Sequence, residues 1–364
     1  MVSCLRQLVE TESPSHDKAA LDHLGQYLAE EFAKLGGGIK FHKQEHAGNH
    51  LQVDLRGPGK PVLLLGHMDT VWDLGTLAAM PFRVASGRAF GPGSFDMKAG
   101  IVQAIYAIRA LQDLSGRLPR AITMLLVTDE EIGSNSSRQI TEALAKKSAA
   151  VLVLEPAQGP KGALKTSRKG VGGYHVKVEG QEAHSGLDPD KGANAVLELA
   201  RQILVIEKFP GRKRGVTVNP GVVRGGTRTN VVAGEATAEV DARVSRLKDI
   251  SYLDKKFRSL KAFDKRCRVE VSGGIGRPPL ERSKQVAELF TLAQCLAGEL
   301  GWKLEEASVG GGSDGNFTAA LGIPTLDGLG AVGEGAHARH ESVVIAEMAR
   351  RAALLARLIE SIPG

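Results

Sequence analysis

The chain has 364 residues, 42% of them hydrophobic and 24% charged, a size that one hydrophobic core rarely serves, so two domains are expected. Its net charge of +6 is scattered, with Gly211-Arg-Lys-Arg214 as the single local cluster; this suits a solvated loop and argues against a nucleic-acid partner. Cys4, Cys267 and Cys295 are odd in number and widely spaced, which argues against a disulfide framework or a thiolate metal site, so any metal takes nitrogen and oxygen ligands.

The segment Met1–Glu12 carries acids within an amphipathic pattern, and no window approaches 18 uncharged apolar residues. A soluble protein with no membrane partner is expected, cytoplasmic unless a leader has been removed. Lys18 to Leu35 has helical spacing and stops at Gly36-Gly-Gly38. Leu51–Leu55, Pro61–Leu65, Ala121–Thr128 and Ala150–Leu154 read as short strands, the last three nearly continuous and so covered on both faces. Helices at Ala99–Leu114 and Ser136–Lys147 alternate with them. The order predicts an α/β sandwich that gathers ligands at the carboxyl ends of its strands.

From Gly170 the pattern changes. Gly173–Val178, Gly215–Val223 and Ala233–Val244 alternate in polarity, Gly192–Lys208 is an amphipathic helix, and Lys248–Leu260 with Cys267–Val271 complete a β-α-β-β-α-β order. This reads as an inserted α+β domain. Gly273-Gly-Ile-Gly-Arg277-Pro-Pro is a linker by composition. Ser283–Leu300, Leu304–Ser308, Pro324–Leu329 and Ser342–Ile362 then resume the first domain. The expected boundaries are 1–168, 169–277 and 278–364.

Acidic and imidazole side chains recur where the strands end. His67 and Asp69 form H-x-D, and extended backbone puts both on one side, so the carboxylate can orient a metal-ligating imidazole; a structural pair is the alternative. Asp96 lies in a turn with Gly91, Gly93 and Gly100, either bridging two cations or capping the helix that follows. Glu130-Glu131 follow Met124–Thr128. One of them can ligate metal while the other serves as general base, or the pair can favour the positive end of a helix. Glu155 again ends an apolar strand, with an exposed loop acid as its alternative. Composition does not choose between His337 and His340 as a further ligand.

In this order the residues resemble the M20 metallopeptidase family, most closely its glutamate carboxypeptidase (carboxypeptidase G2-like) branch. The match runs through H-M-D-T-V, G-P-G-x-x-D-x-K-x-G, D-E-E-I-G-S, L-E-P, E-A-H-S-G, G-G-G-S-D and a terminal H-x-x-x-E-x-V. The resemblance implies a zinc-peptidase α/β/α sandwich catalytic domain with an inserted ferredoxin-like α+β domain that acts as lid and dimerisation element. It also implies two zinc ions per subunit bridged by Asp96, with His67 and Glu155 on one and Glu131 and His337 on the other. Glu130 becomes general base, Asp69 the orienting partner of His67, and His340 the fallback ligand.

His184 resembles the family histidine that stabilises the oxyanion, often in a partner subunit. Asn230 and Arg243 match positions that bind substrate polar and carboxylate groups, and Gly312 offers backbone to a carboxylate, with Arg277 a weaker candidate. The implied activity is cleavage of the amide bond of a C-terminal amino acid in an N-acyl amino acid or short peptide. The alternatives are an N-acyl-amino-acid deacylase, of the acetylornithine deacetylase or succinyl-diaminopimelate desuccinylase type, and a binding or regulatory protein on the same fold. Ser94-Phe-Asp96-Met-Lys98 departs from the glutamate carboxypeptidase prototype, which separates glutamate specificity from the metal chemistry.

Overall fold

The computed structural model describes residues 1–211 and 215–363; most of the basic cluster, residues 212–214, lies outside the described residues. Two compact units divide the chain. Met1–Ser167, Arg282–Val309 and Ser313–Gly364 make the first, Arg168–Glu281 and Gly310–Gly312 the second.

In the first unit six strands lie in the order Gly38–His42, His50–Leu55, Ile122–Val127, Val62–His67, Ala150–Val153 and Thr325–Leu326. Val62–His67 runs parallel to both of its neighbours, whereas Gly38–His42 and His50–Leu55 add antiparallel at one edge. Alternate residues feed opposite faces of this sheet. Val62, Leu64, Met124, Leu126 and Leu152 share a core with Leu28, Ile105, Leu289 and Leu355, while Leu63, Leu65, Leu125, Val127 and Val153 pack with Ala145 in another. Helices therefore cover both sides, which is why these strands read as unbroken apolar runs.

Burial of each such side chain is worth about 1.5–3 kcal/mol, so charge is pushed to the ends of the strands. The Lys18–Ala33 helix starts on Asp17, whose carboxylate accepts from the N–H of Ala20 at 2.9 Å. Gly36-Gly-Gly38, read as a stop, also opens the edge strand Gly38–His42, which the sequence reading missed; five exposed or half-buried residues leave little apolar signal. Helix Ala99–Ser115 sits close on the sheet: a Cβ on Gly100 would lie 2.2 Å from the carbonyl oxygen of Leu154. That approach sets the depth of the turn just before the helix, which carries Asp96.

A small antiparallel sheet in the same unit orders Gly333–Glu334, Ser342–Val344, Arg88–Phe90 and Arg83–Ala85. His337 lies in the loop joining the first two of these strands.

The second unit realises the β-α-β-β-α-β order: Gly170–Glu179, helix Ala195–Ile206, Thr217–Gly225, Glu235–Val244, helix Lys248–Arg258 and Arg268–Arg277. Its antiparallel sheet has the order Thr217–Gly225, Glu235–Val244, Gly170–Glu179, Arg268–Arg277, a ferredoxin-like arrangement. Both helices pack on one face, where Tyr174 stacks on Phe257 with ring centroids 3.8 Å apart. The linker expected at Gly273–Arg277 is instead the end of the last strand, with Gly273 opposite Tyr174 and Arg277 opposite Val171. Its Gly273 serves close pairing, since a Cβ there would lie 2.2 Å from the carbonyl oxygen of Gly173. Among the described residues no helix is long and apolar enough to cross a membrane.

Candidate metal centre

His67 is the last residue of Val62–His67, Glu130 and Glu131 follow Ile122–Val127, and Glu155 follows Ala150–Val153. The three parallel neighbours end side by side, so these side chains meet. His67 Nε2 lies 3.3 Å from Asp96 Oδ1 and 3.6 Å from Glu155 Oε1. His337 Nε2 lies 3.1 Å from Glu131 Oε1 and 3.5 Å from Asp96 Oδ2. Two sets, His67–Asp96–Glu131 and His67–Glu130–Glu155, each present donor atoms within 4.8 Å of one another.

Five separate segments thus converge, and Asp96 divides its two oxygens between two imidazoles. His340 is exposed three residues beyond His337. His337 holds a φ of 60°, a left-handed conformation uncommon for a residue with a side chain.

The donor set fits divalent cations that favour nitrogen and oxygen. Four carboxylates, Asp96, Glu130, Glu131 and Glu155, face two imidazoles, an excess of negative charge that two such cations balance. The same excess of negative charge bears on the pKa values of the two imidazoles. Burial opposes protonation of His67, yet Asp69 and Asp96 hold its pKa well above the usual imidazole value. Asp96 and Glu131 push His337 up to about 10. Asp96 is itself held far below the carboxylate range, burial being outweighed by His337 and His67.

Asp69 contacts more than the imidazole of His67. His67 Nδ1 donates to the carbonyl oxygen of Asp69 at 2.9 Å, while the nearer carboxylate oxygen is 3.5 Å away. That carboxylate, fully buried, accepts from the N–H of Glu130 at 3.3 Å, the N–H of Glu131 at 3.1 Å and the hydroxyl of Ser15 at 2.8 Å. One side chain therefore joins the ends of two neighbouring strands. Behind the acid pair, Asp129 accepts from the N–H and hydroxyl of Ser136 at 2.7 Å, and Ser134 hydrogen-bonds Asp314 of the G-G-G-S-D run. Sequence reading missed Ser15 and Ser134. Ser15 is signalled only as a short polar residue near a chain turn, and such residues are common, whereas Ser134 closes the D-E-E-I-G-S motif and acquired no role from it.

In the second unit the segments around His184 and Asn230 pair, with the N–H of Ser185 donating to the carbonyl oxygen of Asn230 at 3.0 Å. His184 is exposed, and its Nδ1 accepts from the N–H of Gly186 and Leu187 at 3.1 and 3.2 Å. An accepting Nδ1 puts the ring proton on Nε2, which is then a donor. Arg243 pairs with Asp241 at 3.0 Å and reaches the carbonyl oxygen of Gly310 at 3.4 Å. Arg168, which the sequence reading passed over, donates to the carbonyl oxygen of Gly312 at 2.9 Å. The Cδ of Arg277 lies 2.8 Å from where a Cβ on Gly312 would be, so that position suits glycine.

A doubly covered α/β sheet with an imidazole and carboxylate cluster at its strand ends is the architecture of a metallohydrolase. The model of peptidase family M20/M25/M40 matches residues 63–361, and the chain belongs to that family. It is 30% identical over 368 residues to carboxypeptidase G2 of a Pseudomonas species, covering 99% of this chain and 88% of that one. Among solved structures, aminopeptidase PepT of Bacillus cereus superposes with a TM-score of 0.84 at 23% identity, covering 99% and 97% of the two chains. A dinuclear metal binding peptidase of the M20 family from Bacillus subtilis gives 0.75 at 14% identity, covering 99% and 96%. The expected sandwich with an added ferredoxin-like domain is the fold these structures share.

Proposed function

We propose that this chain hydrolyses the amide bond of a C-terminal amino acid, as a glutamate carboxypeptidase does, in an N-acyl amino acid or short peptide. The reading rests above all on Asp96, whose two oxygens face His67 and His337 separately, an arrangement that would let one carboxylate serve two cations. Two zinc ions would be held by His67, Glu155 and Asp96 on one side and by Glu131, His337 and Asp96 on the other. When bound, such ions polarise a carbonyl and lower the pKa of a water towards ~7. The 30% identity to carboxypeptidase G2 over nearly the whole chain supports the choice of bond.

Glu130 accepts a proton from the attacking water and returns it to the leaving nitrogen, so that an amine and not an amide anion departs. Asp69 holds the backbone of Glu130 and Glu131 still while this happens. His184 donates from Nε2 to the developing oxyanion, a contact that strengthens as charge builds. Arg243 and Asn230 take the terminal carboxylate, Arg243 as a planar fork, with the backbone of Gly312 alongside. The second unit also carries the interface of a homodimer in this reading.

The test is a panel of N-acylated and folate-like glutamates, other N-acyl amino acids and dipeptides, run with zinc, after exhaustive chelation and after zinc readdition. Activity should vanish and return, and Glu130→Ala should lower kcat by about 10²–10⁴. Turnover that survives chelation, or near-normal kcat in Glu130→Ala, sinks the mechanism. Preference for acetyl or succinyl amino acids would move the substrate to the deacylase type.

A further inference from the structure

Glu341 lies four residues beyond His337 and is 1% exposed. A buried carboxylate needs compensation, and this one has four donors at 2.9 Å each. Oε1 accepts from the N–H of Phe95 and of Asp96, and Oε2 from the N–H of Gly93 and the indole nitrogen of Trp72. The main chain adds a fifth link, from the N–H of Gly91 to the carbonyl oxygen of Glu341 at 3.4 Å. Four of the five donors come from the turn Gly91–Asp96, and one is the N–H of Asp96 itself. The N–H groups of a tight turn make an anion-binding concavity. Here the anion is a side chain of the same protein.

We propose that Glu341 is a positioning residue that fixes the Asp96 carboxylate for both metals and, through its short tether, ties it to His337. The inference rests on the two-zinc reading above. The geometry favours this role over general bracing of the fold because the hydrogen bonds converge on one ligand-bearing turn, and the hairpin that supplies their acceptor also supplies a ligand. His337 and Asp96 then belong to one hydrogen-bonded unit before any ion arrives, which lowers the ordering cost of binding.

Glu341→Gln tests it, since the amide is the same size but has one acceptor oxygen. Whichever way it turns, its NH₂ faces two donors, either Phe95 and Asp96 or Gly93 and Trp72. Zinc affinity and stoichiometry are measured by competition with a chromogenic chelator, together with the melting midpoint of the stripped protein. Glu341→Gln should weaken zinc by about 10–100-fold, the usual effect of losing a partner that orients a ligand. Trp72→Phe removes one donor and leaves the carboxylate, so it should fold normally and weaken zinc in the same direction by less. It decides the matter if Glu341→Gln does not fold.

Wild-type affinity in folded Glu341→Gln, or in Trp72→Phe if that is the only one to fold, overturns the proposal. Lost melting temperature with unchanged zinc affinity marks a purely structural role and overturns it too. A wild-type protein that binds fewer than two zincs instead overturns the two-metal reading, and the proposal with it.

Discussion

Asp69→Asn keeps the shape of a fully buried side chain and removes one of its acceptor oxygens. In the native site Oδ1 faces the N–H of Glu130 at 3.3 Å, and Oδ2 faces the N–H of Glu131 at 3.1 Å and Ser15 at 2.8 Å. The hydroxyl of Ser15 can turn and accept, but a backbone N–H cannot. In either orientation the new NH₂ group leaves one N–H of the acid pair without its acceptor. Leaving a buried donor without its acceptor costs about 1–3 kcal/mol, and the bond lost here was to a charged group, so about 2–3 kcal/mol is expected. If that energy holds Glu130 in place in the transition state, kcat falls roughly 30- to 150-fold while KM moves little. Steady-state kinetics at saturating zinc, with metal content measured on the same sample, reads this directly. A fully loaded Asp69→Asn enzyme turning over within about threefold of wild type would refute the link between Asp69 and the acid pair.

Two further substitutions test parts of the fold away from the cluster. Arg351 is 2% exposed, stays charged at neutral pH although burial pulls it down to about 10, and donates to the carbonyl oxygens of Gly330, Gly162 and Gly328. Arg351→Met leaves three buried acceptors unserved and should cost about 3 kcal/mol or more, a drop of roughly 4–6 °C in Tm by scanning calorimetry; a shift under about 1 °C contradicts the assignment. Glu198 is fully buried in the second unit, yet its carboxyl sits below the usual glutamate range. Burial is outweighed there by donation from the N–H of Phe263 at 2.9 Å, from Gln202 at 2.7 Å and from the N–H of Asp264 at 3.1 Å. A depressed carboxylate adds stability above the unfolded value of about 4.3 and loses it as pH falls through the folded value. Glu198→Gln should therefore be less stable at pH 7 and show a shallower acid decline in urea midpoint, whereas parallel declines would remove Glu198 from the account.

The sheet and the acidic strand ends were legible because burial on both faces writes itself as apolar runs, and charge is admitted only where those runs stop. His67, Glu130, Glu131 and Glu155 follow from that rule. Asp96 and His337 do not, since they come from a turn and a hairpin loop without periodicity, and it was the ordered motifs that singled them out. Glu341 stood within a motif and acquired no role from it. Its four donors lie about 250 residues earlier in the chain, and hydrogen bonds to distant backbone leave no local pattern. The Gly273–Arg277 strand was misread for a different reason: glycine that permits close strand pairing is indistinguishable in composition from glycine that loosens a linker.

The first unit is discontinuous, and that has a consequence in time. During synthesis His67, Asp96, Glu130, Glu131 and Glu155 all emerge before Arg168, whereas helices Lys284–Glu299 and Ile345–Ser361, which help to cover one face of their sheet, and His337 come after the span Arg168–Glu281. For more than a hundred residues of elongation the nascent protein carries a concentration of acids beside an apolar surface that helices Lys18–Ala33 and Ala99–Ser115 cover only in part. The contiguous span Arg168–Glu281 can fold meanwhile, as domains generally do in the order they are made. Closure of the core and completion of the imidazole and carboxylate cluster are thus late events that wait on the same stretch of chain, and a ribosome stalled before residue 337 holds a protein that still lacks the His337 imidazole.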